Sequence, residues 1–258
     1  MIEPVRETGG SLGDGTRDFS PRKWIGELMS SSSALAVPRS TIASKYIVAI
    51  TGLALTGFVL VHMLGNLLIY LGPDHLNAYA NTLKSNPGLL WTARLGLLVM
   101  FVLHIYLALE LKLKNRAARP TPYVFQHTEQ ASFASRTMVW TGLAILFFLL
   151  YHLAHFTLGL TDSASFHLED AQRRHDVYSM VIRGFQNPLV SGLYILAMVF
   201  LGLHMSHGVQ STFQSLGITR RRWDTLIYRC GMGLTLLVVV GNISMPLAVL
   251  IGLIKLPS

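Results

Sequence analysis

The chain has 258 residues, 51% hydrophobic and 13% charged, with a formal net charge of +8 and one cysteine. That apolar share and a positive mean hydropathy exclude an ordinary soluble domain and point to the bilayer as solvent. Cys230 alone forms neither an internal disulfide nor a cysteine-ligated iron–sulfur cluster within the chain, so redox chemistry here needs another ligand type.

Residues 1–43 read as a polar N-terminal arm of Gly, Ser, Pro and mixed charge. No apolar core precedes a small-residue cleavage site, so a cleaved signal peptide is not expected. Its amphipathic patch Trp24-Ile-Gly-Glu-Leu-Met29 suits either a flexible tail or an arm resting on the membrane interface or a partner. Residues 44–258 then hold five apolar segments, at 47–70, 91–113, 137–160, 188–216 and 230–254. Four carry no charge, and the second has Arg94, Glu110 and Lys112 near its ends. Each is long enough to cross about 30 Å of hydrocarbon at about 1.5 Å per residue. A backbone in lipid must satisfy itself, which makes the segments transmembrane helices of an all-α integral membrane protein. Pro246 is expected to kink the last.

Orientation follows from the basic residues. Lys112, Lys114, Arg116, Arg119 and Arg136 lie at the end of the second segment and after it, Arg220, Arg221, Arg222 and Arg229 follow the fourth, and Arg39 and Lys45 precede the first. The loop 72–90 has only Asp74 and Lys84, and 162–183 balances three arginines with four acids. The positive-inside rule therefore puts the N-terminus in the cytoplasm and the C-terminus outside. The basic excess is a topology signal, and nucleic-acid binding is not expected.

Depth sorts the histidines. His62 stands about 15 residues above the inner end of the first segment, and His152 and His155 about 15 to 18 above that of the third, roughly 22 to 27 Å up. His104 and His204 precede the inner ends of the second and fourth by about 9 and about 12 residues, roughly 14 to 18 Å. An outer pair thus comes from segments one and three, an inner pair from two and four. Any one intramembrane histidine is as readily a hydrogen-bonded interior residue. Four helices each carrying one, matched in depth, are what two bis-histidine haems b stacked across the membrane require, with a neutral imidazole on either side of each porphyrin. Segments one to four then form a haem-binding four-helix bundle, and the fifth, without histidine, a wall. Zinc is the other chemistry, because His152-x-x-His155 and His204-x-x-His207 put two imidazoles on one helix face. Neither run supplies a carboxylate or thiolate ligand, nor a glutamate base. Gly52, Gly57, Gly65, Gly142, Gly192, Gly202 and Gly208 suit either a flat macrocycle close to the backbone or plain helix packing. Arg94, Arg136 and Arg229 suit either haem propionates or interfacial snorkelling.

The strings Val61-His62-Met-Leu-Gly-Asn66, Leu103-His104-Ile-Tyr106, Tyr151-His152 and His204-Met-Ser-His-Gly208 with Leu216-Gly-Ile218 stand in successive segments. With them, the chain from about Ser40 to Leu253 resembles the membrane cytochrome b subunit of succinate:quinone oxidoreductases (succinate dehydrogenase and fumarate reductase). The likeness is to the class with a single five-helix subunit and two haems b. It rests on motif order, helix placement and the five-span frame together. The resemblance implies that His62 and His152 bind the distal haem b and His104 and His204 the proximal one, with His155 and His207 beside the ligands, bonded to propionate or water. It also implies a flavoprotein and an iron–sulfur subunit docked on the cytoplasmic face, a quinone (menaquinone or ubiquinone) near the outer surface, and a multi-pass place in the bacterial cytoplasmic membrane. Chemistry on the dicarboxylate then belongs to the partner's flavin.

The loop 162–183 is longer than this class leads one to expect. A quinone site needs a hydrogen-bond donor and a proton route. Asp74 and His75, in Gly72-Pro-Asp74-His75-Leu-Asn77-Ala-Tyr79, and Arg94 are the candidates, although Pro-Asp is also ordinary N-cap chemistry. A cytochrome b subunit of a formate dehydrogenase or hydrogenase would share the haems and differ in its soluble partner. A transporter relaying protons through buried histidines would be colourless, and neither an inverted repeat nor an acid deep in the spans speaks for it.

Overall fold

The structure is a computed structural model that describes residues 40–118, 132–218 and 222–257. The arm with its Trp24–Met29 patch, and Arg39, Arg119, Arg220 and Arg221 of the topology argument, lie outside the described residues. Those described are helices and turns, with one isolated bridge between Glu169 and His175. In chain order they are α1 (Thr41–Asn66), running into a 3-10 turn (Leu67–Leu71), α2 (Pro73–Lys84), α3 (Pro87–Ala117), and α4 (Phe133–His152), continued by a π turn (Leu153–Thr157). Then come α5 (Ser163–Phe166), α6 (Val177–Gln186), α7 (Pro188–Ser215) and α8 (Asp224–Leu250).

Five of these runs, Thr41–Leu71, Pro87–Ala117, Phe133–Thr157, Pro188–Ser215 and Asp224–Leu250, are long and apolar enough to cross a membrane, which makes the chain an all-α multi-pass membrane protein. Helices start where caps and prolines put them, ahead of the apolar runs. Asn86-Pro87 and Asn187-Pro188 open α3 and α7 with proline at the first turn, where its missing N–H is no loss. Ser132 caps α4 by accepting the Ser135 N–H at 3.1 Å. The third span ends at the π turn, closed by Leu158 N–H to the Leu153 carbonyl at 2.9 Å.

Between α1 and α3, and between α4 and α7, the chain forms a helical cap at one end of the bundle. Both stretches read as loops in the sequence. The cap helix α6 starts with Asp176 accepting the Ser179 N–H at 3.0 Å and buries Tyr178, Met180, Ile182 and Phe185. Asn77 of α2, 1% exposed, ties it down: its amide donates to Asp176 Oδ1 (3.0 Å) and Asp170 Oδ2 (3.3 Å), and its carbonyl accepts the Tyr178 N–H (2.9 Å). Under the cap lies the main buried core, where Ile69, Leu76, Ile182 and Phe185 meet Tyr194 of α7 and Met245 and Val249 of α8. Away from the cap, α1 lies against α3 and α7, and α7 also packs on α4 and α8. The wall helix α8 touches α1 as well, where a Cβ at Gly241 would strike the Met63 sulfur. Pro246 sits buried inside α8.

Candidate functional site

His104 of α3 and His204 of α7 face each other with ring centroids 6.5 Å apart and planes at 67°. Each ring is seated by a Thr-Gly pair on a neighbouring helix. His104 Nδ1 lies 3.2 Å from both Thr51 Oγ1 and the Val48 carbonyl, and a Cβ at Gly52 would come within 3.0 Å of its Cε1. His204 Nδ1 lies 3.2 Å from Thr141 Oγ1, and a Cβ at Gly142 would come within 3.3 Å of its Cε1. A carbonyl only accepts, so His104 must carry its proton on Nδ1. The two hydroxyls give their protons to their own helices, Thr51 to the Ile47 carbonyl at 2.7 Å and Thr141 to the Met138 carbonyl at 3.1 Å. Each oxygen is thereby left to accept the imidazole Nδ1–H. In both rings Nε2 keeps its lone pair, the tautomer a metal ligand needs.

Nearer the cap, His62 of α1 and His152 at the end of α4 stand 5.9 Å apart at 86°. Phe58 stacks on His62 at 5.4 Å and Phe148 lies 5.9 Å from His152. His152 Nδ1 is 3.3 Å from the Tyr194 hydroxyl, and His155 Nδ1 is 3.1 Å from the same oxygen. His155 is buried, stacked on Phe156 at 3.9 Å and fitted against Gly184, where a Cβ would be 3.0 Å from its Cε1. It takes the place beside the ligand candidate, not opposite His62. His207 lies one turn beyond His204, half-buried.

These residues fit haem. Two imidazoles on opposite sides of one iron, each with an iron–nitrogen bond of about 2.0 Å, place their ring centroids about 6.3 Å apart. The two observed separations bracket that value. Among the described residues no group of three or more His, Cys, Asp or Glu side chains converges. A zinc site draws on three or four protein ligands, whereas axial ligation of a macrocycle draws on two. The glycines divide by task. Gly52 and Gly142 seat imidazoles, Gly65 admits the Tyr79 ring, and Gly202 meets Val239 in helix packing, while a Cβ at Gly57 or Gly192 would meet nothing within 4 Å.

The outer-segment candidates have other positions. Asp74 is bound by Arg174 at 2.7 Å and Gln172 at 3.3 Å, and the guanidinium holds its carboxyl below the usual carboxylate range. His75 is exposed on α2, and Arg94 lies over the Trp91 ring at 5.2 Å. Among the described residues no hydrogen bond joins Asp74, His75 and Arg94. A cavity of about 530 Å³ opens on the cap between Asp74, Asn77, Asp170, Arg174, Arg183 and Leu256, and it shares no lining residue with either histidine pair. Arg136 and Arg229 are exposed near the first turns of α4 and α8.

Thr51 and Thr141 carry a signal in the sequence that the histidine spacing alone does not bring out. Thr51-Gly-Leu-Ala54, Phe58, Leu60 and His62 recur with identical spacing as Thr141-Gly-Leu-Ala144, Phe148, Leu150 and His152. The Asn-Pro openings of α3 and α7 repeat as well. The chain is therefore built from two helix–cap–helix halves, 41–117 and 133–215, with α8 added. No family model, curated protein or solved structure matches it.

Proposed function

We propose that this chain is the di-haem b membrane subunit of a succinate dehydrogenase or fumarate reductase complex, carrying electrons between an iron–sulfur partner and a membrane quinone. His62 and His152 hold the distal haem, His104 and His204 the proximal one. The observation that carries the reading is the meeting of four histidines from four helices in two pairs, at 5.9 and 6.5 Å, with Nδ1 engaged in three of the four rings. Bound between such pairs, haem supplies one-electron transfer. The chain's own part is to hold the imidazoles of His104, His204 and His152 in the Nε2-free tautomer and to fix the planes of His104 and His204 through threonine and glycine.

Lys112, Lys114, Arg116, Arg136, Arg222 and Arg229 gather at the end of the bundle opposite the cap. In the proposed topology this end is cytoplasmic and receives the flavoprotein and iron–sulfur subunits, and the cap faces outward, nearest the quinone. The membrane is then the bacterial cytoplasmic membrane. The histidine pairs serve equally a cytochrome b subunit of a formate dehydrogenase or hydrogenase, and motif order is what favours the succinate side. Purification from native membranes tests both levels. Two b haems per chain with a co-purifying flavoprotein and iron–sulfur protein are expected. A colourless protein overturns the haem reading, and a molybdenum or nickel–iron partner overturns the succinate assignment.

A further inference from the structure

The cap-end pair differs from the other in one respect: the hydroxyl that serves its ligand also serves a second histidine. We propose that Tyr194 fixes His152 as an iron ligand through a one-way hydrogen-bond relay, His152 Nδ1–H to the Tyr194 oxygen and Tyr194 O–H to His155 Nδ1, so that His155 tunes the distal centre without touching it. The proposal rests on the reading of His62 and His152 as a ligand pair.

The direction of the relay follows from proton counting. A phenol has one proton to give, and its oxygen lies 3.3 Å from His152 Nδ1 and 3.1 Å from His155 Nδ1. Tyr194 is 7% exposed and boxed by the rings of Phe148, Tyr151, Phe156 and Phe185, and among the described residues its hydroxyl has the two imidazole nitrogens as its hydrogen-bond partners. If Tyr194 donated to His152, that ring's proton would move to Nε2 and block coordination. If it donates to His155, its lone pair is free to accept the His152 Nδ1–H, and His152 Nε2 is left bare.

His155 is built into this role. The π turn that begins one residue after His152 breaks the α-helical ladder where His155 sits, and π turns of this kind recur at functional positions. Phe156 stacks on the ring, and Gly184 leaves room for its far edge. His155 thus presents Nδ1 to Tyr194 as a fixed acceptor. Donation from Nδ1–H makes the opposite nitrogen a more basic ligand, which favours the oxidised iron and lowers its potential.

The test is a spectroscopic redox titration of the purified complex. Tyr194→Phe keeps the volume and deletes the hydroxyl, and it should move one of the two haem waves to higher potential while leaving the other in place. His155→Phe, which has no acceptor, should move the same wave in the same direction. His155→Gln, whose amide oxygen can accept, should restore it toward wild type. Thr141→Val, at the other pair, should move the other wave and so identify which is which. Two haems with both waves unmoved in Tyr194→Phe overturn the relay alone, as does His155→Gln behaving like His155→Phe. Fewer than two haems in the wild type overturns the ligand-pair reading itself.

Discussion

The Nδ1–H of His104 has two acceptors, Thr51 Oγ1 and the Val48 carbonyl, whereas that of His204 has Thr141 Oγ1. Each threonine hydroxyl also reaches the carbonyl three residues back, Thr51 that of Val48 and Thr141 that of Met138, both at 3.1 Å, and the Val48 carbonyl in addition lies 3.2 Å from the His104 Nδ1. Removing the two hydroxyls should therefore have unequal effects. Thr141→Val should weaken haem retention about 10- to 100-fold, the range for losing the partner that orients a metal-bound histidine. Thr51→Val should cost less, because the Val48 carbonyl remains. Haem-to-protein ratio after graded detergent washing reads the difference, and equal losses would remove the carbonyl from the argument. At the other pair the ring facing His62 is that of His152, and His155 bonds the tyrosine from the side. His152→Ala should lose one haem and His155→Ala should keep both, as counted by pyridine haemochrome. The reverse pattern would exchange their roles.

The cap is where packing of short elements decides the structure. Asn77 satisfies two carboxylates and one backbone N–H in a buried position, so Asn77→Ala leaves the Tyr178 N–H without its partner. That should loosen the cap by about 1–3 kcal/mol, the cost of an unsatisfied buried polar group. Amide exchange should quicken in α2 and α6 with α1, α3 and α7 unchanged; a uniform change would mean that the cap and bundle open together. Acid should act at the same place. Arg174 depresses the Asp74 carboxyl, so the pair stabilises the cap above the ordinary carboxylate value of about 3.9 and is lost as pH falls through the lower folded value. Asp74→Asn should flatten cap exchange over that acid range, whereas an unchanged profile would assign it to other groups.

The membrane spans are legible in sequence because lipid demands some twenty apolar residues in a row, a pattern no loop imitates. The cap helices are not, because ten or twelve residues with Asp74, Arg173 or Arg174 among or beside them carry no such demand. Their helicity comes from side-chain caps and from burial against a surface that exists only once the bundle has formed. Val177-Tyr-Ser-Met-Val-Ile-Arg-Gly-Phe185 has the helical spacing of apolar residues, yet at this length the pattern also fits a loop. The histidine pairs are legible by depth along straight helices. The Tyr194 bridge depends on the π turn, which no local residue type announces.

At the scale of the whole molecule, the repeated Thr-Gly-Leu-Ala string makes α1 and α4 equivalent, and the Asn-Pro openings do the same for α3 and α7. Each histidine pair then takes one ring from each half: His62 and His152 from α1 and α4, His104 and His204 from α3 and α7. The threonine seats, by contrast, stay within a half, Thr51 serving His104 and Thr141 serving His204. A half can therefore orient its histidine but cannot complete a pair, and in the proposed haem reading the cofactor would couple the folding of the halves. Haem counting in double variants separates this from pairing within a half. His62→Ala and His152→Ala should each lower the count from two haems to one. The double variant should still hold one, since both changes strike the same pair. His62→Ala combined with His104→Ala should hold none. Had each half bound its own haem, the first double would hold none and the second one. Variants that elute as a single species from size exclusion give the count its meaning, because a misassembled bundle would lose both haems whichever histidine was changed.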